Sequence, residues 1–196
     1  MKNQFCLFVA AIWFIYPQAQ SLAQDWTGNV NLSLGGEKSL DEDDWAPIED
    51  QDEMGILVDF KKNSWPLSLA MDFLQSEDSK LALDPLSGLL FSLSGKTREV
   101  NLGVRKIWED TSSARFYVGG GIAHISMEVG ASLLGVSQSE QDDAVGLWAN
   151  GGVYFTLGHA FNVGLDLRYS NAKVTFFGVE GEAGGRHMGL LVGYHW

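Results

Sequence analysis

What most constrains this chain is an alternation of period two that returns eight times beyond residue 24. In each segment every second residue is apolar, and those between are small, polar or charged. This is the pattern of a strand whose two faces meet different surroundings, because successive side chains point to opposite sides. WTGNVNLSL sets Trp26, Gly28, Val30, Leu32 and Leu34 against Thr27, Asn29, Asn31 and Ser33. GILVDF sets Ile56, Val58 and Phe60 against Leu57 and Asp59. WPLSLAMDF opposes Trp65, Leu67, Leu69, Met71 and Phe73 to Ser68, Ala70 and Asp72. In REVNLGVRKIW, Val100, Leu102 and Val104 face away from Glu99, Asn101, Gly103 and Arg105. ARFYVGGGIAHI, AVGLWANGGVYFT and FNVGLDLRYS repeat the theme, the last with Asp166 and Arg168 on its polar face. HMGLLVGYHW is the eighth, with Met188, Leu190, Val192, Tyr194 and Trp196 in phase.

The connections alternate as well. Those around Lys61 to Ser64, Asp110 to Ser113 and Leu157 to Ala160 are tight. Those from Gly35 to Glu53, Gln75 to Thr97, Ser126 to Asp143 and Asn171 to Gly185 are long. Antiparallel strands joined in this way put all short turns at one end, the plan of an outer-membrane barrel. The expected fold is all-β, an eight-stranded antiparallel up-and-down transmembrane β-barrel. Only the wholly apolar face tolerates hydrocarbon. The other face carries Asp59, Asp72, Glu99, Arg105, Asp166 and Arg168, too many charges for a dry core unless they pair. In eight strands these point into a narrow lumen filled by side chains, so interior ion pairs are expected. Trp65, Trp108, Phe116, Phe155 and Phe161 fall beside the short turns with Tyr194 and Trp196, where a periplasmic aromatic girdle would lie.

The first residues read as an address. Lys2 precedes an apolar run from Phe5 to Tyr16, followed by Pro17 and the small-residue site Ser21-Leu22-Ala23. That is the layout of a secretory signal peptide, and the run is shorter than the roughly 20 residues of a membrane-spanning helix. Cleavage after Ala23 is expected, so that residues 1–23 are the leader and 24–196 form one barrel domain. The single cysteine, Cys6, lies in the leader, which leaves the mature chain without a disulfide, a thiolate nucleophile or a cysteine-bound zinc. A formal net charge of −12 argues against nucleic acid as a partner.

Two long connections stand out. Residues 37–53 hold Glu37, Asp41, Glu42, Asp43, Asp44, Glu49, Asp50, Asp52 and Glu53. Carboxylate oxygens suit calcium or magnesium, so Asp41, Asp43, Asp44, Asp50 and Asp52 are candidate ligands for a divalent cation. The spacing does not match an EF-hand, and a solvated acidic loop is the favoured reading. No other cofactor is expected. The second connection is rich in leucine, from Leu81 to Leu93, and suits either extensions of the flanking strands or a segment lying on the barrel rim. A lid over a hydrophobic ligand path is the further option.

The leader, the eight alternating segments and the aromatic closing strand resemble the small outer-membrane barrels of Gram-negative bacteria. That group includes the OmpA membrane domain, OmpX, OmpW and the lipid A-modifying barrels. The resemblance covers the whole chain after the leader. It implies that Leu190, Val192, Tyr194 and Trp196 form the signal read by the barrel-assembly machinery. It implies outer-membrane lipid and lipopolysaccharide as surroundings, and a monomer. The deacylase of this group suggests a test for enzymatic activity. RYSNA has Ser170 in place, but Arg168 stands where that pattern has histidine, and arginine stays protonated at neutral pH. Of His124, His159, His187 and His195, only His187 falls on a strand that brings it toward Ser170. The chain therefore reads as a structural or surface protein rather than an enzyme, its lumen filled by polar side chains. An OmpW-like conduit for small hydrophobic molecules and a deacylase-like hydrolase are the alternatives.

Overall fold

The computed structural model describes residues 25–83, 90–109, 114–133, 136–158, 160–176 and 178–196. Residues 1–24 with Cys6, residues 84–89 of the leucine-rich connection, residues 110–113 and His159 lie outside them. The barrel strands are β1 (Trp26–Ser39), β2 (Asp50–Lys62), β3 (Ser68–Leu83), β4 (Leu90–Glu109), β5 (Ala114–Leu133), β6 (Val136–Leu157), β7 (Phe161–Asn171) and β10 (Gly185–His195). A short helix α1 (Glu42–Trp45) lies between β1 and β2, and the hairpin β8 (Lys173–Phe176) and β9 (Val179–Glu182) lies between β7 and β10.

The eight strands close in the order β1-β10-β7-β6-β5-β4-β3-β2, every neighbour antiparallel. Closure pairs the last segment with the first, from Asn29 opposite His195 to Ser39 opposite Arg186, with one irregularity between Leu34 and Glu37. There Gly35 takes a φ of 57°, a left-handed conformation open to glycine without strain. Burial alternates residue by residue along β7, as period two requires. Outward side chains such as Leu32, Met71, Leu102, Ile122, Leu147, Leu165 and Leu190 are exposed, so the large apolar residues form the outer surface. Polar and charged residues form much of the inside.

The strands run further than their alternation suggests. β1 reaches Ser39 and β2 begins at Asp50. β3 and β4 continue to Leu83 and Leu90, and β5 and β6 meet at Leu133 opposite Val136. The expected long connections at Gln75 to Thr97 and Ser126 to Asp143 are thus mostly ladder. Backbone groups still need partners beyond the apolar band, but there the apolar rhythm is lost. Pairing of β2 with β3 stops at Asp52 opposite Glu77, and pairing of β6 with β7 stops at Leu147 opposite Asn171. A four-stranded sheet from β3 to β6 therefore projects beyond the cylinder.

Candidate functional site

The interior is built in three polar tiers. In the middle tier, Arg105 on β4 reaches Asp59 at 3.1 Å and Asp72 at 2.8 Å. Arg168 on β7 reaches the same Asp72 oxygen at 2.6 Å and Asp166 at 3.5 Å. β3 and β7 lie four strands apart either way round the ring, so the pair of Asp72 and Arg168 spans the lumen from wall to wall. The guanidinium groups are also stacked on rings, Arg105 5.2 Å from the centre of Tyr117 and Arg168 4.9 Å from that of Trp148. Tyr117 and Tyr154 stack on each other at 4.5 Å. The Tyr117 hydroxyl and the Asn150 amide both donate to Asp166.

The tier toward the projecting sheet holds Lys38, Glu53, Glu99, Ser170 and His187, all buried. Lys38 pairs with Glu99 at 2.7 Å and donates to the carbonyl of Ala183 at 2.8 Å. His187 Nδ1 lies 2.6 Å from Glu53, and its Nε2 lies 3.0 Å from Ser170 Oγ. Serine, histidine and carboxylate in this order have the spacing of a nucleophile, a base and its orienter. Ser170 Oγ also lies 3.2 Å from Glu99. In the tier toward the short turns, Asn29 donates to Asp59 at 2.7 Å and Asn162 donates to Asn29 at 2.9 Å. Arg115 donates to Asn162 at 2.9 Å and lies 3.1 Å from a ring nitrogen of His195.

All six charged residues expected on the inner face point inward, and five of them (Asp59, Asp72, Arg105, Asp166 and Arg168) share one network. The sixth, Glu99, belongs to the tier above. Lys38, Glu53, Arg115 and His187 were not among the expected lumen charges. For the last two the signal is parity, since Arg115 is in phase with Tyr117 and His187 with Leu191. Lys38 and Glu53 lie in a connection whose sequence shows no apolar alternation.

The acidic stretch is divided among different elements. Asp41 caps α1 by accepting from the backbone N–H of Asp43 at 3.0 Å. Asp44 accepts from the Glu182 N–H at 2.9 Å, and Asp50 from the Ser39 hydroxyl at 3.1 Å. Asp52 stands on β2 opposite Glu77. Among the described residues no three His, Cys, Asp or Glu side chains converge as a metal site would need.

At the opposite end, Trp65, Trp108, Phe116, Phe155, Phe161, Tyr194 and Trp196 are all exposed on the exterior. Trp65 meets Trp26 edge-on at 5.5 Å. Trp196 exchanges backbone hydrogen bonds with Gly28, at 3.1 and 3.2 Å. A Cβ on Gly28 would lie 2.5 Å from the Trp196 ring, so this close approach needs glycine.

A closed antiparallel cylinder with an apolar outside, an aromatic end and a charged inside is the architecture of the small outer-membrane β-barrels. No family model matches the chain, and no curated protein matches it either. Solved structures with this fold do. Ail, the attachment invasion locus protein of Yersinia pestis, in complex with the heparin analogue sucrose octasulfate, is 15% identical. That match covers 88% of this chain and 99% of that one at a TM-score of 0.56. The N-terminal β-barrel domain of Pseudomonas aeruginosa OprF is 12% identical over 87% of this chain and 97% of that one, with a TM-score of 0.53. A major outer membrane protein from Thermus thermophilus is 11% identical over 87% and 99%, with a TM-score of 0.58.

Proposed function

We propose that this protein has a structural or surface role in the outer membrane, with a lumen that its own side chains close to solutes. The observation that carries this reading is the wall-to-wall ion pair of Asp72 and Arg168, doubled by Arg105 on the same carboxylate. Opening a path there would strip partners from charges in a medium of low dielectric, which is costly. The projecting sheet supports the surface half of the reading, since it carries unpaired strand edges outside the barrel. A polyanion like the one bound to Ail would meet Asp41, Glu42, Asp43, Asp44, Asp50 and Asp52 at this outer end. A soluble partner docking at this acidic end is therefore neutral or cationic, as distinct from the lipopolysaccharide around the barrel wall.

Purified protein in planar bilayers is expected to show no steady conductance, and stable single-channel openings would replace this reading with the conduit. The arrangement of Ser170, His187 and Glu53 favours a second reading, a deacylase-like hydrolase. It requires lipid A hydrolysis by the pure protein that is lost in Ser170→Ala. The structural reading expects no turnover in either protein.

The assembly machinery and surrounding lipopolysaccharide belong to the same proposal. Deleting Trp196 is expected to leave much of the chain uninserted, because it removes both an interfacial ring and the backbone partners of Gly28. Membrane fractionation reads the result, and normal insertion would count against an assembly role for this end.

A further inference from the structure

The outer mouth carries an aromatic corner that the barrel reading does not use. A cavity of about 380 Å³ opens between α1 and the hairpin β8–β9. Trp45 and Phe176 form two of its walls, with ring centres 5.7 Å apart and planes at 83°. Ile48, Leu93, Val129 and Val179 add apolar sides, and Asp43, Asp44 and Glu180 stand around it. The corner is braced by two separate connections of the chain. Trp45 Nε1 donates to the Glu182 carbonyl at 2.6 Å, while Asp44 accepts from the Glu182 N–H. Gly181 lets the indole lie close, since a Cβ there would sit 2.9 Å from the ring. Asp44 thus has one oxygen committed, and Glu180 is held by Lys173 at 2.6 Å in an exposed pair.

These parts select a ligand by exclusion. A bare metal ion needs several converging ligands, and no three His, Cys, Asp or Glu side chains converge so among the described residues. An uncharged hydrophobe would fill the corner but leave the carboxylates less hydrated without compensation. An anion is repelled. A cation with an apolar body satisfies both halves, because ring faces attract positive charge and carboxylates neutralise it. We infer that this corner binds a small organic ammonium ion, of the quaternary or alkylammonium class. Lys173 is then an internal competitor for Glu180.

The test uses the full barrel refolded in detergent, titrated calorimetrically with choline and with 3,3-dimethylbutan-1-ol, its uncharged carbon isostere. Choline should bind saturably and at least about tenfold more tightly than the isostere. Phe176→Leu and Asp43→Asn should each weaken it by about two- to thirtyfold, the range of a desolvated cation–π or charge contact. Lys173→Ala should tighten it by freeing Glu180. Far-UV circular dichroism of each variant confirms that the barrel is formed. Equal binding of both probes would reduce the corner to an apolar cleft and overturn the inference. So would absence of choline binding by the folded protein, or affinity that Phe176→Leu and Asp43→Asn leave unchanged.

Discussion

Asp72→Ala is expected to destabilise the barrel by about 3–5 kcal/mol, the cost of leaving a buried ion pair with one partner missing. Asp72 gives a single oxygen to two arginines, at 2.8 and 2.6 Å, and both guanidinium groups are buried. Removing it leaves Arg105, among the described carboxylates, with Asp59 and leaves Arg168 with the longer contact to Asp166. Two positive charges then face each other across a narrow lumen with one carboxylate fewer between them. Equilibrium unfolding in urea from lipid vesicles reads the loss as a lower midpoint. The effect should far exceed that of Lys173→Ala, whose partner pair is exposed and contributes little. A loss below about 1 kcal/mol would mean that the lumen is hydrated at this level and that the pairs are screened.

Leu102→Arg is expected to cost about 2–4 kcal/mol, the penalty for arginine at the bilayer midplane on the outside of a barrel. Leu102 is half exposed, at 50%. In a water-soluble cylinder an exposed leucine could become arginine with a change of only about 0.5 kcal/mol. The substitution therefore separates two solvents for one structure. Its neighbours across the ladder are Met71 and Ile122, both apolar and both exposed, so no nearby carboxylate can rescue the charge. Folding yield and unfolding midpoint in vesicles give the answer. A variant as stable as the parent would remove the physical basis for placing this surface in hydrocarbon.

Much of the interior was legible because a strand has only two faces. Once Val100, Leu102 and Val104 were assigned to lipid, Glu99 and Arg105 had to point inward. The contrast between faces fades where the apolar side does. Lys38 and Glu53 lie on paired strands, yet their outward neighbours Glu37 and Asp52 are acidic, so no contrast between faces remained to be read. The same loss of contrast hid the projecting sheet. Its ladder runs from Glu77 to Leu83 against Leu90 to Lys96 through serines, lysines and leucines with no clear period. The aromatic corner was out of reach for a different reason. Trp45 and Phe176 are 131 positions apart by their numbers, on elements of four residues each, too short to show a period at all.

What the sequence determined by itself is the rule of inside and outside. Alternation, turn spacing and closing strand led to a barrel of eight strands and to the face that meets hydrocarbon, because a one-residue slip would turn every charge outward. What only the tertiary structure decided is who meets whom across the lumen. Arg105 and Arg168 could each have paired with any of several carboxylates of the same parity. Ring closure places β3 opposite β7, and that geometry, set by long-range strand pairing rather than by local pattern, joins both arginines to Asp72. The same long-range packing brings His187 to Ser170 and Trp45 to Phe176. Local preferences cannot encode such meetings, since they depend on distances fixed only when the cylinder has closed.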